Sequence, residues 1–220
     1  LGTRLRPLTD ECPKPLLKVG GKPLLEIILD KFIESGFSNF LISINYRGNM
    51  VKDHFGDGDK WGVNIDYIEE TKRLGTAGAL SLIKNPIKPL IVMNGDLLTS
   101  LNVGRLLDFH MNQGAVATMC IRRYEHQVPY GVVNFDKSSL RSIDEKPTQK
   151  MFVNAGIYVI DPDALSCLKV SKYCDMNEFY ETLIHNNLPV SVFPIREYWM
   201  DIGRVEDFEA AHGAYQELFS

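Results

Sequence analysis

Apolar residues along the chain recur with two different spacings. Between Leu24 and Ile33 they return every three or four positions and stop at Gly36, which predicts a helix. Residues 40–44 form a short apolar run with β-branched members, which predicts a buried strand. The two signals alternate through the first half, predicting helices at 45–55, 76–83 and 101–113 and strands at 63–68, 89–93 and 115–121. Alternating strands and helices predict an α/β fold with a parallel sheet.

From Tyr130 onwards the predicted strands follow one another with only short turns between them. Strands at 131–135, 140–143 and 152–160 favour a more antiparallel region. The remaining predicted elements are helices at 162–168 and 176–186, strands at 190–195 and 198–202, and a closing helix at 204–218. No repeat, low-complexity tract or linker interrupts the pattern, so residues 1–220 are predicted to form a single domain.

Composition and charge narrow the classes of protein that fit. The formal net charge of −4 argues against a nucleic-acid binder held by general electrostatics. No apolar run approaches the ~20 residues of a membrane span, and no signal peptide is visible. The cysteines have neither CxxC nor His–Cys spacing, so we expect a reduced, cytoplasmic protein without a disulfide or a zinc site.

The opening segment suits neither a core strand nor a helix interior. It places two arginines, a lysine and three prolines within its first fifteen residues. The backbone of Gly2, the hydroxyl of Thr3 and the guanidinium of Arg4 are donors suited to phosphate oxygens, and Lys14 adds a cation. The prolines restrict the loop, so that less ordering entropy is lost when an anion binds. We interpret the segment as an anion-binding loop for a polyphosphate rather than as a solvated basic tail.

Two aspartates are candidate ligands of a cation. Asp96 follows a buried strand in the run Asn-Gly-Asp, and ligands of α/β sheets gather at the carboxyl ends of strands. A carboxylate there suits Mg²⁺, although the run also fits a plain strand-ending turn. Asp201 lies between apolar neighbours, so it is either buried and paired or bound to a cation. It is also a candidate cap for the helix that begins near Arg204.

Further candidates are weaker when taken singly. Residues 74–78 read Leu-Gly-Thr-Ala-Gly, small residues that let a flat ring lie against backbone, although such spacing is more often a plain turn. Glu145 and Asn154 offer hydrogen-bonding groups, and Lys146 offers a compact positive charge. The run Glu-Lys-Pro at 145–147 would by itself be a surface turn.

Together and in this order, these segments resemble the motifs of the sugar-1-phosphate nucleotidylyltransferases, the nucleotide-sugar pyrophosphorylases. The motifs lie at 2–9, 13–17, 74–78, 95–96, 130–133, 145–147, 154–158 and 199–203. The segment at 74–78 looks most like that of the guanylyltransferases, particularly those that act on mannose 1-phosphate. The family's first strand and its Ala-Gly-Gly-x segment are missing from this sequence, and we expect them upstream of Leu1.

The resemblance implies a Rossmann-like fold with a mixed, mainly parallel central sheet and a smaller antiparallel insertion in the second half. It implies a nucleotide-binding part at about residues 1–121 and a sugar-binding part at about 122–220. The implied reaction joins an NTP to a sugar 1-phosphate with Mg²⁺ and releases pyrophosphate; GTP is favoured, and CTP, UTP and ATP stay open.

The resemblance also implies a role for each candidate residue. The implied catalytic residues are Arg4 and Lys14, and the implied metal ligands are Asp96 and Asp201. The implied nucleotide-binding residues are Gly2, Thr3, Gly75, Thr76, Ala77 and Gly78. The implied sugar-phosphate-binding residues are Gly131, Glu145, Lys146 and Asn154.

Several points stay open at this level. The sugar can be mannose, glucosamine, heptose or glucose, since each presents a ring and a phosphate. A homo-oligomer and a regulatory domain upstream of Leu1 are both compatible with the sequence, whereas nucleic acid and membrane are not expected as partners. The competing hypothesis is a homologue that binds a nucleotide or a sugar phosphate without catalysis.

Overall fold

The structure is a computed structural model that describes residues 3–218. Its helices are α1 (Leu24–Glu34), α2 (Gly48–Phe55), α3 (Gly75–Gly78), α4 (Val103–Gln113), α5 (Pro162–Leu165), α6 (Met176–His185) and α7 (Val205–Leu218). Its strands are β1 (Lys18–Val19), β2 (Lys22–Pro23), β3 (Asn39–Ile44), β4 (Asn64–Glu69), β5 (Leu90–Met93), β6 (Leu97–Thr99), β7 (Ala117–Gln127), β8 (Val132–Asp136), β9 (Ser139–Asp144), β10 (Thr148–Ile160), β11 (Val190–Ile195) and β12 (Trp199–Asp201). Short 3₁₀ turns lie at Thr3–Leu5, Lys14–Leu16, Asp59–Trp61 and Ala79–Leu82.

The central sheet has four strands in the order β11–β7–β10–β5. Strand β10 runs antiparallel to both of its neighbours, and β11 runs parallel to β7. Strands β5, β7 and β11 therefore share one direction. A parallel pair, β3–β4, forms a separate small sheet, and β8–β9 forms an antiparallel hairpin. The predicted α/β class, with a mixed sheet and an antiparallel insertion in the second half, is confirmed.

Helices pack on both faces of this sheet because successive residues of β10 point to opposite sides. Tyr158 and Ile160 pack with Phe179 of α6, whereas Ile157 packs with Leu106 of α4 on the other face. The predicted apolar periodicity of these helices is thus the pattern of residues that meet the sheet. None of the helices within residues 3–218 has the length and apolar character needed to cross a membrane.

Strand β10 is irregular where it passes the end of β5. Its register against β7 shifts between Asn154 and Tyr158. Gly156 has a φ of +72°, and a Cβ there would lie 2.6 Å from Nδ2 of Asn94. The N–H of Asn94 donates to the carbonyl oxygen of Gly156 at 2.9 Å. Glycine therefore permits a close approach that fixes Asn154 beside the carboxyl end of β5.

Candidate active site

Asp96 and Asp201 are brought together by the pairing of β6 with β12. Asp96 directly precedes β6, and Asp201 is the residue of β12 that lies opposite Leu97. The N–H of Ile202 donates to the carbonyl oxygen of Asp96 at 3.0 Å. Two candidate metal ligands that are far apart in sequence are therefore neighbours at the end of the sheet.

Of the two predicted catalytic cations, Lys14 contacts this pair directly and Arg4 affects the charge of Asp201. Nζ of Lys14 donates to Oδ2 of Asp96 at 2.6 Å. Arg4 lies in the turn Thr3–Leu5, which is anchored by the fully buried Leu5. Partial burial raises the pKa of the Asp201 carboxyl, the negative charge of Asp96 raises it further, and Lys14 and Arg4 oppose both effects. Asp96, Lys14 and Arg4 thus all lie close enough to Asp201 to affect its charge.

This geometry suits a cation that takes few protein ligands. Within residues 3–218 no group of three or more His, Cys, Asp or Glu side chains is arranged to hold a metal ion. Burial is the main cause of the raised pKa of Asp201, and the neighbouring charge of Asp96 adds to it, because two adjacent carboxylates repel each other. A divalent ion that keeps several waters and binds substrate phosphates would relieve that repulsion.

The alternative role of Asp201 as a helix cap receives no support from the start of α7. The N–H of Arg204 instead donates to Oδ2 of Asp207 at 2.8 Å. Asp207 therefore supplies the acceptor that a helix beginning at Val205 needs.

The remaining residues of the opening loop are described only in part. Gly2 lies outside the described residues. Thr3 begins the 3₁₀ turn that carries Arg4. The predicted role of Gly2 and Thr3 in binding phosphate stays a prediction.

Residues 74–78, which we call the clamped segment, are held tightly by the second half of the chain. The N–H groups of Ala77 and Gly78 both donate to the carbonyl oxygen of Cys174 at 3.0 Å. The N–H of Cys174 donates to the carbonyl oxygen of Leu74 at 2.8 Å. The N–H of Thr76 donates to Oδ1 of Asp175 at 3.0 Å. The N–H of Leu74 donates to Oε2 of Glu70 at 2.9 Å, so four main-chain donors of the segment are used within the protein. The carbonyl oxygens of Leu74, Ala77 and Gly78 also accept hydrogen bonds from other residues, so the backbone of the segment is largely fixed.

Two glycines permit this close approach. A Cβ on Gly75, whose φ is +82°, would lie 2.5 Å from the carbonyl oxygen of Cys174. A Cβ on Gly78 would lie 2.6 Å from the carbonyl oxygen of Lys172. The glycines of the motif are thus required by packing as well as by any ligand.

Residues 128–147, which we call the arm, contrast with this segment. The arm contains the β8–β9 hairpin, and most of its residues are exposed. A Cβ on Gly131 would lie 3.1 Å from Oε2 of Glu145, so these two predicted sugar-binding residues are neighbours. Within the described part of the chain no hydrogen bond or ion pair joins the side chains of Glu145 and Lys146 to Asn154 or to the two aspartates. Gly131 and Glu145 are thus neighbours within the arm, but the arm is not hydrogen bonded to Asp96 or Asp201.

Asn154 faces an open cleft beside Asp201. The cleft has a volume of about 460 Å³, which is in the range of small-molecule sites. It is lined by Tyr124, Val153, Asn154, Trp199, Met200, Asp201 and Asp207. Our sequence reasoning missed Tyr124 and Asp207, because neither belongs to a motif that it could interpret.

The chain is similar to known proteins over almost its whole length. The family model described as "Nucleotidyl transferase" matches residues 1–217. A mannose-1-phosphate guanyltransferase 2 of Candida glabrata is 31% identical over 229 residues, covering 100% of this chain and 63% of that protein. The mannose-1-phosphate guanylyltransferase catalytic subunit beta of Drosophila melanogaster is 32% identical over 215 residues, covering 94% of this chain and 58% of that protein. The chain thus spans about three-fifths of the length of these relatives.

Solved structures share the fold at lower identity. HddC from Yersinia pseudotuberculosis superposes with a TM-score of 0.75 at 23% identity, covering 98% of this chain and 95% of that one. A putative glucose-1-phosphate thymidylyltransferase from Bacillus anthracis superposes with a TM-score of 0.77 at 22% identity, covering 100% and 93%. HddC has also been solved in complex with GMP-PN. At these identities the likeness is one of fold.

Proposed function

The chain belongs to the nucleotidyl transferase family, and from this premise we propose that it is a cytoplasmic sugar-1-phosphate nucleotidylyltransferase. It would form an NDP-sugar and pyrophosphate from an NTP and a sugar 1-phosphate. The observation that carries the proposal is the placement of two carboxylates, Asp96 and Asp201, on paired strands, with the ammonium group of Lys14 hydrogen bonded to Asp96. Such a site can neutralise a triphosphate and bind the ion that accompanies it.

The reaction needs no nucleophile from the protein. An oxygen of the sugar phosphate attacks the α-phosphorus of the NTP, a new P–O bond forms, and the bond to pyrophosphate breaks. The work of the protein is therefore to position the two substrates and to stabilise charge. Arg4 and Lys14 would stabilise the negative charge on the transferring phosphate and on the pyrophosphate that leaves.

We propose Mg²⁺ as the ion, with Asp96 and Asp201 as its protein ligands. When bound, the ion would supply positive charge that offsets the negative charge of the substrate phosphates. Lys14 forms an ion pair with Asp96. That contact orients the Asp96 carboxylate and keeps the ammonium group ready to meet a phosphate.

We propose GTP as the nucleotide and mannose 1-phosphate as the first sugar phosphate to test. The names of the relatives from Candida glabrata and Drosophila support both choices. The run Leu-Gly-Thr-Ala-Gly at 74–78, which resembles the guanylyltransferase motif, would lie against the base. Gly131, Glu145, Lys146 and Asn154 would contact the sugar phosphate, so that the nucleotide lies mainly against residues 1–121 and the sugar against 122–220.

A pyrophosphate-release assay on the full chain tests the proposal. GTP, ATP, CTP and UTP are each combined with mannose, glucosamine, heptose and glucose 1-phosphates, with Mg²⁺ and with EDTA. We expect release with at least one pair in Mg²⁺ and none in EDTA. Arg4→Ala and Asp96→Asn should each lower kcat, by about a hundredfold or more, because each removes charge stabilisation at the reacting phosphate.

Asp53→Asn is the matched control for Asp96→Asn. Asp53 is an exposed carboxylate on α2, so the same change there should leave kcat unaltered. Wild-type activity in the Asp96→Asn variant would contradict the metal assignment. Nucleotide binding without pyrophosphate release across the whole panel would instead favour a non-catalytic homologue.

A further inference from the structure

The start of α6 contacts both regions to which we assign substrates. Met176 opens the helix, and its N–H donates to Oγ1 of Thr76 at 2.8 Å. Oδ1 of Asp175 accepts from the N–H of Thr76 at 3.0 Å and from its hydroxyl at 3.4 Å. Thr76 is thereby held by three hydrogen bonds to residues about a hundred positions later in the chain. Its side chain and its peptide plane are both fixed.

The Asp175 carboxylate is itself held in place. The hydroxyl of Tyr173 donates to Oδ2 of Asp175 at 2.6 Å, so both carboxylate oxygens are engaged. These bonds from Tyr173 and from Thr76 lower the pKa of the Asp175 carboxyl. The group is therefore ionised at neutral pH, and an ionised acceptor makes the stronger hydrogen bond.

Asn177, two residues further along, makes the equivalent contact to the other region. Its Oδ1 accepts from Nδ2 of Asn154 at 2.9 Å. Oδ1 of Asn154 in turn accepts from the N–H of Gly156 at 2.9 Å. Both ends of the Asn154 amide thus have partners, so the plane of the amide is fixed where the side chain faces the cleft.

We propose that Asp175 and Asn177 are positioning residues that act on different substrates. Asp175 acts through Thr76 on the nucleotide, and Asn177 acts through Asn154 on the sugar phosphate. The inference rests on the proposed function, since it takes the clamped segment and Asn154 to be substrate contacts. Neither residue touches the reacting atoms, so each acts by holding another side chain in its binding geometry.

A purely structural role predicts a different outcome. The N–H of Asp175 donates to Oε2 of Glu178 at 3.0 Å, a contact typical of a helix start. If Asp175 only capped α6, its replacement would disturb Thr76 and Asn154 together, because both depend on the start of that helix. A positioning role predicts an effect on one substrate alone.

Asp175→Ser and Asn177→Ala separate the two roles. Serine is a favoured cap, yet its side chain is too short to reach Thr76 and Tyr173 as Asp175 does. Alanine at 177 is a good helix former, so it removes the amide without weakening α6. Glu181→Gln is the matched control, because Glu181 is an exposed carboxylate of the same helix.

Steady-state kinetics with each substrate varied in turn provide the readout. Loss of one or two hydrogen bonds predicts that Asp175→Ser raises KM for the NTP about threefold to tenfold and leaves KM for the sugar phosphate unchanged. Asn177→Ala should show the reverse split by about the same factor. Glu181→Gln should change neither KM. The thermal midpoints of the variants report on α6 itself.

The split between the two KM values decides the inference. Equal changes in both KM values, or no change in either, would overturn it while leaving the proposed function intact. If the wild-type chain releases no pyrophosphate, the proposed function fails, and calorimetric titration of the same variants with GTP and with mannose 1-phosphate decides the positioning roles by the same split. Absence of binding to either compound by the wild-type chain would overturn both.

Discussion

The clamped segment and the arm are both expected to contact substrate, yet they are built in opposite ways. Leu74, Ala77 and Gly78 are buried, and their backbone is hydrogen bonded to residues far away in sequence. In the arm, Phe135 and Leu140 are 70% and 61% exposed although they are large and apolar. The clamped segment is thus preorganised, whereas the arm owes little of its position to packing.

This difference suggests how selectivity is divided between the substrates. A preorganised segment loses little entropy on binding and holds its polar groups at fixed places, so it discriminates between bases. A loosely packed arm can adjust to sugars of different shape. We therefore expect the nucleotide side to be the more selective of the two, and the following variants test whether the physical contrast behind this expectation is real.

The largest effect is expected for Gly75→Ala in the clamped segment. The new Cβ would lie 2.5 Å from the carbonyl oxygen of Cys174, and Gly75 has a φ of +82°. That oxygen cannot withdraw freely because it accepts from both Ala77 and Gly78. We expect a loss of unfolding free energy on the order of 2 kcal/mol or more, with a higher KM for the NTP. Urea unfolding and steady-state kinetics measure the two quantities.

Gly213→Ala is the control for that variant. No atom lies within 4 Å of the position that a Cβ on Gly213 would take, and this residue is inside α7. Alanine should raise the unfolding free energy there by about 0.5–1 kcal/mol, since it is the better helix former. Equal stability of Gly75→Ala and the wild-type chain would show that the segment is not clamped.

The next effect concerns the charge that holds the clamped segment. Asparagine is as good a cap as aspartate, so Asp175→Asn removes the charge and keeps the helix start. The folded-state pKa of Asp175 is lowered, which means that its ionised form stabilises the fold at neutral pH and that this stabilisation is lost as pH falls through that pKa. We expect the variant to be less stable than the wild-type chain by roughly 0.5–1.5 kcal/mol at pH 7.

Urea titrations at pH 7 and at pH 3 measure that difference. The gap between the variant and the wild-type chain should narrow as the pH approaches and passes the lowered pKa of Asp175. A gap of constant size would mean that the charge contributes nothing and that only the shape of the side chain matters.

The sequence indicated these two regions but not the contrast between them. Apolar periodicity was enough to predict helices α1, α4 and α6, because each buries an apolar stripe against a sheet. The family motifs indicated the clamped segment and the arm. The partner of Thr76 could not be predicted, since Asp175 is 99 positions away and only tertiary packing joins them. The run Asp-Met-Asn-Glu at 175–178 did carry a capping signal for α6. Likewise, the pairing of β6 with β12, which brings Asp96 next to Asp201, could not be predicted from the sequence of either strand.

A smaller effect is expected on the buried side of α6. The hydroxyl of Tyr180 is buried and has no hydrogen-bond partner in residues 3–218. Removing an unsatisfied polar group costs nothing in lost bonds, so Tyr180→Phe should leave stability unchanged or raise it by up to about 1 kcal/mol. Thermal unfolding measures this. Tyr158, whose ring packs beside that of Tyr180, is the comparison, because its hydroxyl has a hydrogen bond to Asn154 that Tyr158→Phe would remove. A clear loss of stability on Tyr180→Phe would contradict this, because it would mean that the Tyr180 hydroxyl makes a stabilising hydrogen bond.

The smallest effect is expected for Gly131→Ala in the arm, which is the same chemical change as Gly75→Ala. The new Cβ would lie 3.1 Å from Oε2 of Glu145 and 3.2 Å from Cγ2 of Ile143. Both atoms are ends of exposed side chains that can rotate away, whereas Gly75 faces a fixed backbone carbonyl. The unfolding free energy should therefore stay within about 0.5 kcal/mol of the wild-type value, as for surface changes in general. If the two glycine variants lose equal stability in urea, the arm is as rigid as the clamped segment, and the expected breadth toward sugars loses its physical basis.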